Sequence, residues 1–240
     1  MDPLLVSAAS GMKARMEVLD LLANNIANSG TTGFKADHEF YSLYEQQLPL
    51  VGNRWTDFSQ GTLLATENPL HLALSGPGLF ALNGSAGTVY SRSGSFQISK
   101  SNQLETSDGY TLRNVLDQGR PIGVDPAQAI LIGKDGTVRQ GGQPVGQIEI
   151  GEIPSAADAF AKLGSTYFAL TSGARVGLQG AARARSTEVL QGQLEQSNVP
   201  LADTAVRLVG VMRQFEMLQK AMNIGSQMSK EAIQEVARVG

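Results

Sequence analysis

The chain has no cysteine, and among its 240 residues only two are histidine and one is tryptophan. Without thiols there is no disulfide framework and no thiolate metal centre, so the fold must hold by burial and hydrogen bonding in any redox compartment. The histidines, His38 and His71, stand in no ligand spacing such as His-Glu-x-x-His, and ordinary packing accounts for them. An excess of one charge is missing too. Lys plus Arg number 19 against 22 Asp plus Glu, a net charge of -3 with no long run of either sign. No electrostatic grip on nucleic acid is expected from that balance. Apolar runs fall far short of a membrane span, so no membrane insertion is expected. Met1-Asp2-Pro3 places an acid where a cleaved signal peptide carries Lys or Arg, which disfavours Sec-type secretion and leaves other export routes open.

Motifs for chemistry are equally thin. Ser10-Gly11-Met12-Lys13 matches Ser-x-x-Lys formally, but the companion motifs of that enzyme class are missing. Gly76-Pro77-Gly78 is followed by no Gly-Lys-Ser/Thr and is no phosphate loop. Asn83-Gly84-Ser85 fits a glycosylation sequon, yet a hairpin turn explains it. The expectation is a protein that is not an enzyme, with no cofactor, metal or small-molecule substrate.

What the chain does contain is 42% hydrophobic and 17% charged residues, the balance of a folded protein. Its N-terminal segment reads as a helix. Asp2 suits the N-cap and Pro3 the first helical position, and apolar residues recur at Leu5, Ala8, Met12, Met16, Leu19, Ala23 and Ile26. Steps of three and four are coiled-coil spacing. Asn28-Ser29-Gly30 supplies the stop, with Asn28 as cap. The C-terminal segment repeats the spacing at Leu201, Ala205, Leu208, Met212, Phe215, Leu218 and Met222. Leu4, Leu22, Val209 and Val211 lie outside these stripes. Gly210 and Gly225 each cost about 1 kcal/mol of helix stability.

Between the helices the character changes to short β-type runs joined by Gly-containing turns. Leu79–Leu82 with Thr88–Tyr90, Gln103–Thr106 with Tyr110–Leu112, and Ile130–Ile132 with Thr137–Val138 read as hairpins around Asn83-Gly84, Asp108-Gly109 and Asp135-Gly136. Val145–Ile153 and Thr166–Leu170 read as further strands, with a helical turn around Ala156–Ala161. Residues 34–65, rich in aromatics, are too long for a simple connector and read as an extended or partly helical arm. A single amphipathic helix cannot bury its stripe alone, and each Leu or Met is worth roughly 1.5–3 kcal/mol when buried. Two packings answer this: the terminal helices pair with each other, or both cover one face of the β domain.

Several segments resemble the flagellar rod and hook proteins. Leu22-Ala23-Asn24-Asn25-Ile26-Ala27-Asn28, then Thr31-Thr32-Gly33-Phe34-Lys35, is similar to that family's N-terminal signature, and Leu194-Glu195-Gln196-Ser197-Asn198-Val199 to its C-terminal one. Gly76–Phe80, Tyr90–Phe96, Asp108-Gly109-Tyr110 and Ser172-Gly173 match in kind. Phe215-Glu216 resembles the proximal rather than the distal rod proteins, while Pro200 stands where relatives commonly carry Asn. The resemblance implies an α+β protein with a discontinuous helical domain (1–33 and 186–240), the arm (34–65) and an inserted antiparallel β domain (66–185). It implies a rod subunit whose terminal helices assemble with copies of itself and with other rod proteins into a tube around an export channel. The implied setting is the periplasmic rod of the basal body, reached through the flagellar type III export apparatus without a cleaved signal. The signature positions carried over are Asn24, Asn25, Asn28, Gly33, Phe34, Lys35, Ser197, Asn198, Val199, Phe215 and Glu216.

Overall fold

A computed structural model describes residues 3–43, 49–85, 87–151, 160–171, 178–180 and 187–239. The chain forms two compact units. One contains residues 1–27, 37–55 and 200–240; the other contains residues 28–36 and 56–199.

In the first unit, helix α1 (Pro3–Ala27) packs on helix α2 (Leu201–Val239). Strands β1 (Asp37–Leu43) and β2 (Pro49–Thr56) pair in a two-stranded sheet within the aromatic segment. Gly11 faces the Leu218 methyls while Val18 clusters with Val211, so the helices run antiparallel. Val18, Leu21, Leu22 and Val211 are buried there, with Leu19 and Leu208 packed beside them. Four such side chains contribute about 6–12 kcal/mol of burial before chain entropy is subtracted.

Every strand of the second unit is short. In chain order they are β3 (Leu63–Ala65), β4 (Leu72–Ser75), β5 (Leu79–Gly84), β6 (Gly87–Ser91), β7 (Phe96–Ile98), β8 (Leu104–Thr106) and β9 (Thr111–Leu112). After a 3-10 turn at Val115–Asp117 come β10 (Ile130–Ile132), β11 (Thr137–Gln140), β12 (Gln143–Gln147) and β13 (Glu149–Gly151). The last are β14 (Phe160–Leu163), β15 (Tyr167–Leu170), β16 (Leu178–Gly180), β17 (Glu188–Gln191) and β18 (Gln193–Glu195). The main sheet runs β14-β15-β6-β5-β9-β8-β7, with β13 on β5 and β16 on β13. β10-β11-β12 form a second sheet, and β17-β4 and β18-β3 are separate antiparallel ladders.

Strand β5 explains the two-sided core. Successive side chains of a strand point to opposite faces, and Leu79-Phe80-Ala81-Leu82 is apolar at every position and fully buried. Phe80 and Leu82 join the larger cluster with Leu72, Leu74, Leu112 and Ile150, while Leu79 and Ala81 join Tyr90 and Phe168. The three expected hairpins form, with Leu82 opposite Val89, Glu105 opposite Thr111 and Ile132 opposite Val138. Gly109 and Gly136 take φ of 84° and 76°, the left-handed turn geometry that favours glycine. Val145–Gly151 divides between β12 and β13, and Tyr167–Leu170 is a strand. The helical turn expected around Ala156–Ala161 is corrected where it is described: Phe160 and Ala161 open strand β14, and residues 156–159 lie outside the described residues. Residues 152–153 and Ser172-Gly173 also fall outside them. Residues 188–195, grouped by sequence with the terminal helical region, are strands β17 and β18.

Candidate functional site

The α1–α2 seam is built from smaller side chains than the apolar stripes predict. On α2 the buried or half-buried positions between 201 and 228 are Thr204, Leu208, Val211, Phe215, Leu218, Met222 and Gly225. Their alternating steps of three and four are those of a heptad seam. Leu208, Phe215, Leu218 and Met222 therefore belong to it, but Leu201, Ala205 and Met212 are exposed. On α1 the buried positions are Ala8, Gly11, Ala14, Val18, Leu21, Leu22 and Asn25. Ala8 is on the seam, Met12, Leu19 and Ile26 flank it, and Met16 and Ala23 are exposed; the side chains of Leu4 and Leu5 lie outside the described residues. Leu22 and Val211, read from sequence as lying outside the stripes, are core residues, at 3% and 6% exposure. Small residues win on α1 because they let the backbones approach, and an added Cβ at Gly11 would meet Leu218 Cδ1 at 3.5 Å.

The opposite side of α2 carries Val206, Val209, Met212, Met217, Ile224 and Met228, each 48–76% exposed. Gly210 sits on this helix in open space.

Asn25 has a defined task inside the first unit. Its side chain is buried; Nδ2 donates to the Asp37 carbonyl at 2.8 Å and Oδ1 accepts from Asp37 N–H at 3.1 Å. The side-chain amide imitates one rung of a β ladder and fixes the start of β1 on α1. Glu39, on β1, is buried and paired with Arg207 of α2. His38 stacks on Trp55 with centroids 4.7 Å apart.

Asn24 is exposed on α1, and the signature residues between 28 and 35 and between 197 and 199 build a clasp inside the β unit. After α1, Thr31 N–H donates to the Asn28 carbonyl and Phe34 N–H to the Thr31 carbonyl, which turns the chain. Gly33 completes the turn at φ 70°, and its Cα lies so close to the Arg92–Ser93 backbone that a Cβ would sit 2.2 Å from Ser93 N. Gly30, by contrast, has open space around it. Phe34 is fully buried, with the Lys162 ammonium 4.0 Å over its ring.

Lys35 is buried as well. Its Nζ donates to Glu195 Oε1 at 2.6 Å and to the Ser59 carbonyl at 2.5 Å. Arg92, equally buried, places Nε 3.2 Å from Glu195 Oε2, misaligned for a hydrogen bond, and donates through Nη2 to the Gly76 carbonyl at 2.8 Å. Gly61 N–H gives Glu195 Oε1 a further bond at 2.8 Å, and Gly33 N–H binds the Glu195 carbonyl at 2.8 Å. Burial pulls the Lys35 ammonium below its ordinary range, against the pull of Glu195, and burial likewise lowers Arg92.

Asn198 closes the other side. Its Oδ1 accepts from Ala36 N–H at 2.8 Å, and Nδ2 donates to the Asp57 carbonyl at 2.8 Å and to Ser59 at its carbonyl and Oγ. Ser197 Oγ accepts from Val199 N–H. Three chain segments remote in sequence thus meet at two side chains. The Lys35 ammonium and the Asn198 amide are spent on backbone, on Ser59 Oγ and on Glu195, whereas Arg92 Nε and Nη1 and Glu195 Oε2 are buried without a hydrogen-bond partner among the described residues. Among the described residues no cluster of acidic, histidine or cysteine side chains could hold a metal, and no helix is long and apolar enough to cross a membrane. Phe215 is half-buried on the helix seam, and Glu216 beside it is exposed.

The Lys35–Glu195–Arg92 cluster was not legible as a site in sequence, since each member belonged to a separate motif. A hint lay in the motifs themselves: Phe34-Lys35 and Leu194-Glu195 each set one charge beside a large apolar residue, and Tyr90–Phe96 carries a single charge, Arg92.

Comparison with known proteins gives these motifs a common origin. Residues 5–35 match the family described as flagella basal body rod protein, residues 73–140 the flagellar hook protein FlgE/F/G D1 domain, and residues 190–235 the flagellar basal body rod FlgEFG protein C-terminal family. The flagellar basal-body rod protein FlgF of Caulobacter vibrioides is 30% identical, with 99% of each chain covered. The FlgF of Mesorhizobium japonicum is 30% identical over 97% of each chain. The rod protein FlgG of Agrobacterium fabrum is 32% identical over 94% of this chain and 96% of its own. With helices, β unit and clasp all falling inside full-length similarity of this order, the chain belongs to the flagellar basal-body rod protein family, whose members are structural, non-enzymatic subunits of the basal body that assemble with copies of themselves and with other rod and hook proteins.

Proposed function

We propose that the chain is a proximal-rod subunit that assembles through its terminal helices, acting as one discontinuous helical domain with the β unit inserted, into the tubular axle that transmits torque and encloses the export channel. The observation that carries this is the division of labour on α2. One side is sealed against α1 by Val18, Leu21, Leu22 and Val211, while Val206, Val209, Met212, Met217, Ile224 and Met228 form an uncovered apolar stripe. Such a stripe is costly on a protein that remains alone, and burying each side chain against a neighbour returns roughly 1.5–3 kcal/mol. In this reading the chain reaches the periplasmic rod through the flagellar type III export apparatus. Phe215-Glu216 supports the proximal assignment, and the FlgF and FlgG relatives of similar identity keep the distal rod as the second reading.

Complementation of a strain lacking this subunit tests the proposal. Met212→Asp with Val206→Asp is expected to leave a folded, soluble protein that is exported but fails to enter the rod and restores no swimming. Val18→Asp, in the sealed seam, is expected to lose helical content in the isolated protein. Normal rods from the Met212/Val206 variant would refute assembly through this stripe. They would favour instead a β-sheet binding module whose helices serve only its own fold.

A further inference from the structure

The β unit holds two buried cations and, touching them among the described residues, one carboxylate. Lys35 and Arg92 are 0% and 1% exposed at their side chains, and Glu195 is 0% exposed. The carboxylate arrives 160 residues after Lys35. Asp57 acts on Lys35 only through space, and its own oxygens are taken by Ser59 N–H and Oγ. Burying a cation without a partner costs far more than a paired one recovers. A chain in which residues 28–192 have folded and Glu195 has not docked would carry two such cations.

The same segment completes other valences at once. The Glu195 carbonyl takes Gly33 N–H, Oε1 takes Gly61 N–H, Gln196 N–H reaches the Thr62 carbonyl, and β18 pairs Glu195 with Leu63. Gly61 has no room for error here, since a Cβ would lie 2.1 Å from the Gln196 carbonyl oxygen.

We infer that Glu195 is a closing device: the β unit cannot seal around Lys35 and Arg92 until the segment carrying Glu195 docks, so closure of the unit is coupled to completion of the chain. Synthesis runs from the N-terminus, and the cations are made first. Up to Glu195 the nascent β unit is held open by desolvation cost, not by missing apolar area, since the residues of the larger apolar core, from Leu72 to Val189, already exist. The apolar alternative makes the point testable, because a buried ionic triad can be replaced by hydrophobic side chains without loss of stability in favourable cases.

The experiment is pulse-labelled hydrogen exchange during refolding of the full chain from denaturant. In the wild type, the β5–β6 amides such as Leu82 and Val89 are expected to gain protection in the same kinetic phase as the Gly33 and Gly61 amides that Glu195 holds. In the triple variant Lys35→Met, Arg92→Met, Glu195→Met, the β5–β6 amides are expected to become protected at least about tenfold earlier than Gly33, because nothing charged waits to be paired. In Glu195→Gln, native-state exchange at Gly33, Gly61 and β5–β6 is expected to rise together, by about 10²- to 10³-fold. Wild-type β5–β6 protection that precedes the Gly33 phase overturns the inference without reference to any variant. So does a triple variant that keeps a single phase, or a Glu195→Gln protein in which the clasp amides alone respond.

Discussion

Gly30 and Gly33 stand three residues apart in one motif, and their surroundings assign them opposite sensitivities. Gly33 has φ of 70°, and an alanine there carries the left-handed penalty of about 1–2 kcal/mol. Its new Cβ would lie 2.2 Å from Ser93 N and 2.5 Å from the Arg92 carbonyl carbon. Both obstacles are backbone, so no rotamer change relieves them. Either Gly33 retreats and loses its 2.8 Å bond to the Glu195 carbonyl, worth about 1 kcal/mol, or the strand end carrying Arg92 shifts away from Glu195. Breaking a buried ion pair outright costs about 3–5 kcal/mol, and a partial shift forfeits part of that. Gly33→Ala is therefore expected to destabilise the β unit by about 4 kcal/mol, close to a 10 °C fall in melting temperature for a domain of this size. Gly30 is exposed, has no left-handed φ and has no atom in the way of a Cβ, so Gly30→Ala is expected to fall within about 0.5 kcal/mol of wild type. Urea unfolding, with native-state exchange at the Gly61 amide as the local reporter, measures both. Equal effects from the two substitutions, or a Gly33→Ala cost below about 1 kcal/mol, would refute the argument from backbone approach.

Other expectations follow from single contacts. Leu22→Ala should cost about 2–4 kcal/mol in urea unfolding followed by far-ultraviolet dichroism, since Leu22 is 3% exposed in the helix seam. Gln191 acts as a surrogate strand at the edge of β10, accepting from Ile132 N–H and donating to the Ile130 and Pro69 carbonyls, so Gln191→Ala should speed exchange at the Ile132 amide and cost about 1–3 kcal/mol. Tyr167 is raised from 10.0 to about 12 by burial and then by its bond to the Asp108 carboxylate. The folded chain keeps that phenolic proton where the unfolded chain loses it, so this group's contribution to stability falls as pH rises from 10.0 to about 12. Ultraviolet titration of Asp108→Asn should show Tyr167 ionising at lower pH than in wild type.

The helices and hairpins were legible because their signals are local. Pro3 and Asn28 bracket α1, and Asp108-Gly109 and Asp135-Gly136 stand at turns whose glycines need positive φ. The seam register was less legible. Choosing large apolar residues selects Met12, Met16 and Met212, whereas close helix approach selects Ala8, Gly11, Ala14 and Thr204. Size and burial diverge wherever two backbones come near. The clasp was hidden for a different reason, since Lys35, Arg92 and Glu195 meet only through the fold. Periodicity registers neighbours along an element and is blind to a pair 160 residues apart. Apart from Phe215 on its stripe, the signature positions carried no role in the sequence beyond cap and turn; in the fold Asn25 and Phe215 serve the helical unit, while Gly33, Phe34, Lys35 and Asn198 tie the β unit together.

One consequence of the two N–H···O contacts at Gly33 and Ala36 concerns insertion. Incoming and outgoing chain segments are tied at 2.8 Å by groups belonging to residues 33–36 and 195–198 themselves. Segments between the residues at 62 and 193 that do not touch residues 33–36 or 195–198 can lengthen or shrink while that separation stays constant. The β unit is in this sense a cartridge with a standard fitting. Chimeras that import a foreign insert at those two points should leave the geometry of the fitting intact, provided the insert supplies an arginine where Arg92 meets Glu195, a backbone as close to Gly33 as that of Ser93, and a cation over Phe34 in place of Lys162.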